Sequence, residues 1–407
     1  MAACGGTSGS SGGSTGNIKT NGAGHIGYGV LSCFTGTLAV LGQAMLQGSM
    51  VAQKVVNDAG GILGKPLDLT HGDTQCDEAD SVPAVRKLLA TDNATGIIGP
   101  ETQEIAAVAP IVSAAKIPTQ FQGGSTAFDK NTNQYLWRDS PSDSQLGVAM
   151  ALYASKKGFT KGALLFSSDI AQQTIPKPIR ATWEKFGHTI VSDITVAPGQ
   201  TSYRTQVQQI ISAAPDVIFT QLDPQTAAVM FQNFKELNNL AIPIVGTDVT
   251  SGNDYLSAIT YPIAHDHLIS VYGTNATGAA ADNFAKAFAA QLGASTQPIA
   301  GANYAYDAVI SLALAMDKAG TTDGPAVIAA IKQVSNPPGT PCDSYSACLT
   351  ALNAGTKIKQ DGASGDLIFN AFNNVFGPYG AFQADASTGA ESQVQLLSAT
   401  DLAAATP

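Results

Sequence analysis

Residues 25–36 read His25-Ile26-Gly27-Tyr28-Gly29-Val30-Leu31-Ser32-Cys33-Phe34-Thr35-Gly36. An apolar run ending at Leu31 passes into a glycine-containing turn, the pattern of a buried strand leaving a sheet. From Leu41 to Ala59, apolar or small residues recur at Met45, Ser49, Ala52 and Val56, three and four apart, so this stretch reads as an amphipathic helix. Asn57-Asp58-Ala59-Gly60-Gly61 stops it with glycine. Leu67 and Leu69 then alternate with polar neighbours in a second short strand. Strand, turn, helix and strand in this order form the repeating unit of a parallel sheet.

The same unit recurs in both directions of reading. Val85, Leu88 and Leu89 mark a helix, Gly96-Ile97-Ile98-Gly99 a buried strand, Ile105, Val108, Ala109 and Val112 a helix, and Ile117–Phe121 a strand. After the polar segment Asp139–Ser144 the pattern resumes. A helix over Gln145–Lys157 and a buried strand Ala163–Phe166 are followed by a helix over Ile175–Phe186, with Pro176 and Pro178 in its first turn. Strand Thr189–Val196, helix Tyr203–Ser212, strand Val217–Gln221, helix Thr226–Glu236 and strand Ile242–Gly246 complete the series. Helices over Tyr304–Lys318 and Pro325–Val334 join one of the two series. Strict alternation predicts an α/β protein with two doubly wound parallel-sheet lobes, each covered by helices on both faces.

Composition narrows the partners. The chain has 407 residues, which suits two or three domains, and 44% of them are hydrophobic. Its formal net charge of -10 argues against nucleic acid or an anionic membrane surface, because both require a concentrated basic patch. No run of about 18 apolar residues is present, so no segment is expected to span a bilayer. Ala2-Ala3-Cys4-Gly5-Gly6 matches the end of a bacterial lipobox, in which the cysteine becomes a lipidated N-terminus. The apolar h-region expected before such a cysteine is missing, so a trimmed chain is expected. Gly5–Gly16 consists of Gly, Ser and Thr and would serve as a flexible tether. Cys342 and Cys348 flank a short loop and are expected to pair. Cys33 and Cys76 each follow a strand, and the first two strands of a doubly wound sheet lie side by side, so a second pair is expected there. Paired cysteines imply an oxidising compartment.

Ligands of parallel sheets sit beyond the carboxyl ends of the strands. The loops there are Cys33-Phe34-Thr35-Gly36, Gly99-Pro100-Glu101-Thr102-Gln103, Gln122-Gly123-Gly124-Ser125-Thr126, Ser168-Asp169-Ile170-Ala171-Gln172, Gln221-Leu222-Asp223 and Gly246-Thr247-Asp248. They are rich in hydroxyls, amides, glycines and acids. Thr102-Gln103 and Gly124-Ser125-Thr126 are each expected to open a helix and to hold a carboxylate without lysine or arginine. Ser125 and Thr126 serve equally well as plain helix caps. Asp248 follows a buried strand, where a carboxylate facing a dry cleft needs a cation such as a ligand ammonium. Capping of the following turn is its other reading.

Motifs now accumulate in a recognisable order. Phe34-Thr35-Gly36, Leu41-Gly42-Gln43-Ala44, Asn57 to Lys65, Gly72-Asp73-Thr74-Gln75-Cys76-Asp77, Ile97-Ile98-Gly99-Pro100, Arg138 to Gly147, Ala214 to Phe219 and Tyr304 to Val309 together resemble the leucine/isoleucine/valine-binding proteins. The resemblance runs from His25 to about residue 320. It implies the type I periplasmic-binding fold: two lobes, three crossover strands and hinge closure around one small molecule. The implied division is 25–140 with 272–375 for the first lobe, 141–271 with 376–407 for the second, and 1–24 as a lipoprotein-type leader. The implied function is the solute-binding subunit of an ABC importer, taking an amino acid or related small carboxylate and docking on an ABC permease. The implied location is extracytoplasmic, with the membrane reached only through a lipid on Cys4.

By the same resemblance, carboxylate-holding hydroxyls fall at Thr102 or Gln103 and at Thr126, with a backbone contact near Gly124. The ammonium-holding acid falls on Asp248. Three aromatic positions of the family depart, at Leu41, near Ala171, and at Leu222 or Asp223. The cysteine that usually pairs with Cys76 is replaced near Glu101. Gln103, Gln122, Gln172 and Gln221 point to a wider or more polar cleft. An aromatic acid or an amide therefore stays open as ligand, and the same fold also serves as a ligand-sensing receptor domain.

Enzyme patterns are weak. Gly123-Gly124-Ser125-Thr126-Ala127 falls one residue short of a G-x-S-x-G nucleophile elbow, and a serine hydrolase would need His188, His265 or His267 as base. Gly60 to Pro66 has the wrong spacing for a phosphate loop. His265-x-His267 lacks a third metal ligand, and Asp73, Asp77, Glu78 and Asp80 lack calcium-loop spacing. No catalytic residue, metal or cofactor is expected.

Overall fold

The computed structural model describes residues 17–407 except Thr37, Ala171, Asn275 and Ala276. Two sheets carry the fold. The first is built from β1 (Ile26–Ser32), β2 (Leu67–Asp73), β3 (Gly96–Ile98), β4 (Thr119–Phe121) and β5 (Leu136–Arg138). Its order is β2-β1-β3-β4-β5, and every pairing is parallel. The second is built from β6 (Lys161–Ser167), β7 (Thr189–Val196), β8 (Val217–Gln221), β9 (Ile244–Gly246) and β10 (Leu268–Gly273). A small third sheet holds β11 (Thr340–Cys342), β12 (Ile358–Gly362) and β13 (Gly365–Asp366). Two further strands, β14 (Tyr379–Ala384) and β15 (Glu391–Leu397), extend the second sheet to the order β15-β14-β10-β9-β8-β6-β7. Both join antiparallel, so the second sheet is mixed where alternation alone predicted a parallel one.

The apolar clusters follow the sheets. One large core combines Tyr28, Val30 and Ile98 of the first sheet with Ala305, Val309, Leu312 and Met316 of the long helix Ala302–Ala319. Two others sandwich the second sheet, with Phe166, Trp183 and Phe219 on one face and Leu165, Ile210 and Phe231 on the other. The chain crosses between sheets after β5, after β10 and again before β14. The first and third crossings lie side by side, since Arg138 N donates to Asn373 O at 2.8 Å and Val375 N to Arg138 O at 3.0 Å. Paired crossing segments of this kind are the hinges of two-lobed binding folds.

Residues 17–24, expected in the leader, are tied to the first sheet's lobe: Lys19 N donates to Thr322 Oγ1 at 2.7 Å, and Asn21 Nδ2 to Asp68 Oδ2 at 2.9 Å. Both expected disulfides form, Cys33–Cys76 with Cα atoms 4.9 Å apart and Cys342–Cys348 at 5.2 Å. The first is possible because β1 and β2 pair in register from Ile26↔Leu67 to Ser32↔Asp73, which brings the two following loops together.

The helix Ala39–Asp58 crosses Ala302–Ala319 closely, and Gly48 marks the contact. A Cβ at Gly48 would stand 1.9 Å from Ala302 O, a backbone atom that cannot step aside. Gly48→Val is therefore expected to destabilise by about 3 kcal/mol, the scale of overpacking against a rigid neighbour. Urea denaturation checks this; a midpoint within error of the parent would contradict it.

Candidate functional site

The carboxyl ends of β1, β3 and β4 carry loops whose backbone is set by local chemistry. Gly99 adopts φ +96, and a Cβ there would meet Leu31 O at 2.0 Å, so only glycine fits where β3 turns toward Glu101. Gly124 N donates to Thr102 Oγ1 at 2.7 Å, which joins the loops after β3 and β4. Arg138, 1% exposed, clamps the second of these loops: Nη1 donates to Gly124 O at 3.2 Å and Ser125 O at 3.0 Å, and Nη2 meets Asp129 Oδ1 at 2.5 Å.

These loops face the second lobe across a cavity of about 110 Å³. The first lobe supplies Leu38, Leu41, Ala44, Glu101, Thr102, Gln103, Gln122, Gly124, Gly301 and Tyr304. The second supplies Asp143, Leu146, Ile175, Gln221, Asp248, Tyr272 and Tyr379, and the first crossing adds Ser140 and Pro141. Among the described residues, no lysine, arginine or histidine lines the cavity.

Three carboxyls do. Glu101 is 9% exposed and makes no side-chain hydrogen bond among the described residues. Burial, then the charges of Glu104, Asp248 and Asp143, push its carboxyl up to about 8. Burial pushes Asp143 up to about 7 against the Thr174 hydroxyl that donates to it, with Asp248 adding to the rise and Arg138 opposing it. Desolvation by the surrounding cleft also raises Asp248, although the residue itself is exposed, and the Val249 N–H that donates to Oδ1 at 3.0 Å opposes the rise. Tyr272 and Tyr304 are likewise raised, first by burial, and stay neutral donors.

Of the residues singled out from sequence, Leu41, Thr102, Gln103, Gln122, Gly124, Gln221 and Asp248 stand on the cavity wall. Phe34, Ser125, Thr126, Gln172, Leu222 and Asp223 do not. Phe34 turns its ring onto His71, 5.3 Å between centroids. Ser125 caps a single 3-10 turn, Thr126–Phe128, where a helix was expected; Arg138 and Asp129 hold this loop in place. Gln172 is fully buried, Leu222 packs in the second lobe's core, and Asp223 caps the helix Pro224–Glu236. Ala171 and Cys4 lie outside the described residues. Two of the three histidines that a Ser125 hydrolase would need are engaged elsewhere: His188 Nε2 lies 2.9 Å from Ser155 Oγ, and His265 Nδ1 2.8 Å from Ala384 O.

Sequence reasoning missed Glu101, Asp143 and the three tyrosines. Glu101 sat inside a loop already read as ligand-facing, and its acid was the overlooked signal. Asp143 carried the N-terminal-turn pattern Ser142-Asp143-Ser144, which reads as capping. In the structure Ser142 Oγ does accept from Gln145 N at 3.3 Å, while Asp143 turns to the cleft.

Two sheet-centred lobes, hinged by adjacent crossings around a polar cavity, define a solute-binding protein. The chain belongs to the periplasmic binding protein family, whose model matches residues 26–345. Leu/Ile/Val-binding protein BraC3 of Rhizobium johnstonii is 26% identical over 315 residues, 75% of this chain and 83% of that protein. Leu/Ile/Val-binding protein homolog 3 of Brucella melitensis is 24% identical over 308 residues, 75% of this chain and 82% of that protein. The leucine binding protein LivK of Thermotoga maritima superposes with a TM-score of 0.79 at 17% identity, covering 92% of this chain and 99% of that one. A Rhodopseudomonas palustris solute-binding protein solved with benzoate superposes at 0.75 with 18% identity, covering 94% and 97%. These two structures share the fold. The family and both disulfides indicate an extracytoplasmic location, and no helix among the described residues is long and apolar enough to cross a membrane.

Proposed function

We propose that the protein captures an amino acid, or a related small molecule with a protonated nitrogen, and delivers it to an ABC permease, with lipidated Cys4 as its anchor and no chemistry performed on the solute. One observation carries this reading: carboxyls from both lobes, the buried Glu101 on one side and the buried Asp143 and exposed Asp248 on the other, converge on a cavity lined by no basic side chain. An ammonium placed among them relieves their repulsion and ties the lobes together, which makes the closed form the high-affinity one. Thr102 Oγ1 already accepts from Gly124 N, so its own hydrogen is left for a ligand oxygen. Gln122 Nε2 has no partner and offers a second donor.

Calorimetry against amino acids, aromatic acids, amides and sugars tests the reading; binding confined to uncharged sugars or amides would refute it. Asp248→Ala is expected to weaken the ligand by about 1–2 kcal/mol, between the scale of an exposed charge pair and that of a buried one, because the carboxyl is exposed until the ligand covers it. Unchanged affinity would reduce Asp248 to a residue that only orders the Val249 turn.

A further inference from the structure

We infer that the preferred solute is a basic amino acid, with a second cationic nitrogen on its side chain, and not a neutral one. The inference rests on the amino-acid reading above and sharpens it. A neutral amino acid brings one positive and one negative charge. Its ammonium answers one of the three wall carboxyls, and its carboxylate then shares a small cavity with the other two and with no cation on the wall. Arg138 stands behind the wall and does not line the cavity: its Nη1 is spent on Gly124 O and Ser125 O and its Nη2 on Asp129, and its charge acts on Asp143 from behind while its Nε stays unpaired.

Two buried groups on the wall ask for further donors. Glu101, 9% exposed, has no hydrogen-bond partner among the described residues, and Gln103, 6% exposed, leaves Oε1 unpaired. Both lie on the first lobe, and Asp248 on the second, while Asp143 packs against Gly124 where the two lobes meet. Acceptors at opposite walls suit a molecule with a cation at each end. Gln122 Nε2 and the Thr102 hydroxyl are the complementary donors, and a diamine would leave them empty where an α-carboxylate fills them. Burial makes each unmet group costly, so the ligand matching the whole set is favoured.

The test is calorimetry at pH 8.5, above the values of about 8 and about 7 at which Glu101 and Asp143 are held, on the full chain with ornithine, lysine, arginine, putrescine, leucine, valine and benzoate. At least one basic amino acid is expected to bind about 100-fold or more tightly than leucine, the equivalent of roughly 2.8 kcal/mol. Leucine or valine binding as tightly as any basic amino acid overturns the inference and leaves the amino-acid reading standing. Putrescine matching the best basic amino acid overturns the carboxylate half of the assignment. Benzoate alone, or nothing in the panel, overturns both readings. Glu101→Gln, with folding checked by circular dichroism, is expected to narrow the preference for the basic amino acid over leucine about tenfold, as one charge contact is lost; an unchanged ratio counts against the inference.

Discussion

Arg138→Met is expected to destabilise the protein by about 3 kcal/mol and to weaken ligand binding as well. Arg138 ends β5 and is 1% exposed, so its guanidinium is bonded to protein instead of water. It holds Gly124 O, Ser125 O and Asp129 Oδ1 together, and Asp129 in turn accepts from Ser144 Oγ at 2.6 Å. Methionine keeps most of the volume, so the loss is one of bonds more than of packing. Two carbonyls lose their charged donor, and Asp129 loses its cation. Asp129 is 29% exposed and regains water, which keeps the cost below that of a fully buried broken pair. Arg138→Lys retains charge without the fork and is expected to fall between. Because the released loop carries Gly124 and abuts Asp143, the cavity wall loosens with it: Asp143 N donates to Gly124 O at 2.8 Å. Denaturant midpoints with an unchanged slope, read beside calorimetric affinity, check the prediction. A midpoint shift below about 0.5 kcal/mol would mean that the clamp contributes nothing beyond a surface contact.

The parallel framework was legible because its signals are local. Strands β7 and β8 were read at their observed limits, and the strand–helix periods predicted the helices to within a few residues. The antiparallel pair was not legible. β15 reads Glu391-Ser392-Gln393-Val394-Gln395-Leu396-Leu397, is mostly exposed at a sheet edge, and so lacks a buried apolar face to announce it. The site divided along the same line. Loops after strands were identified from topology, and seven of their residues reach the cavity. Which side chain within a loop turns inward depends on partners far away in sequence. Thr126 faces away because Arg138 holds its loop, and Tyr379 and Tyr272 reach the wall because β14 and β10 pair antiparallel. No local pattern encodes either arrangement.

The same acids that suit a cation make the empty protein sensitive to pH, and its stability is expected to fall as pH rises from about 5 to 8.5. Glu101, ordinarily near 4.5, is held at about 8, and Asp143, ordinarily near 3.8, at about 7, each chiefly by burial. The groups acting on them are Glu104 on the same loop, Asp248 beyond β9, Asp129 and the Arg138 guanidinium, so negative neighbours outnumber positive ones. Between the unfolded and folded values the folded state binds more protons than the unfolded chain. Stability therefore declines with pH across that window, and the decline is complete above about 8. Asp307, raised to about 6, and Glu391, raised to about 7, act in the same direction. Asp68 and Asp73 are lowered, so their contribution is lost only on the acid side, below about 4, which places the optimum near pH 5. Because Glu101 and Asp143 repel each other their losses do not add, and a combined fall on the order of 3–5 kcal/mol is expected. Glu101→Gln mimics the protonated acid: it should match the parent at pH 5 and exceed it at pH 8.5. Urea melts at four pH values decide the matter. A parent curve flat or rising over this range, or a Glu101→Gln curve parallel to it, would show that Glu101 is not forced to ionise in a buried setting.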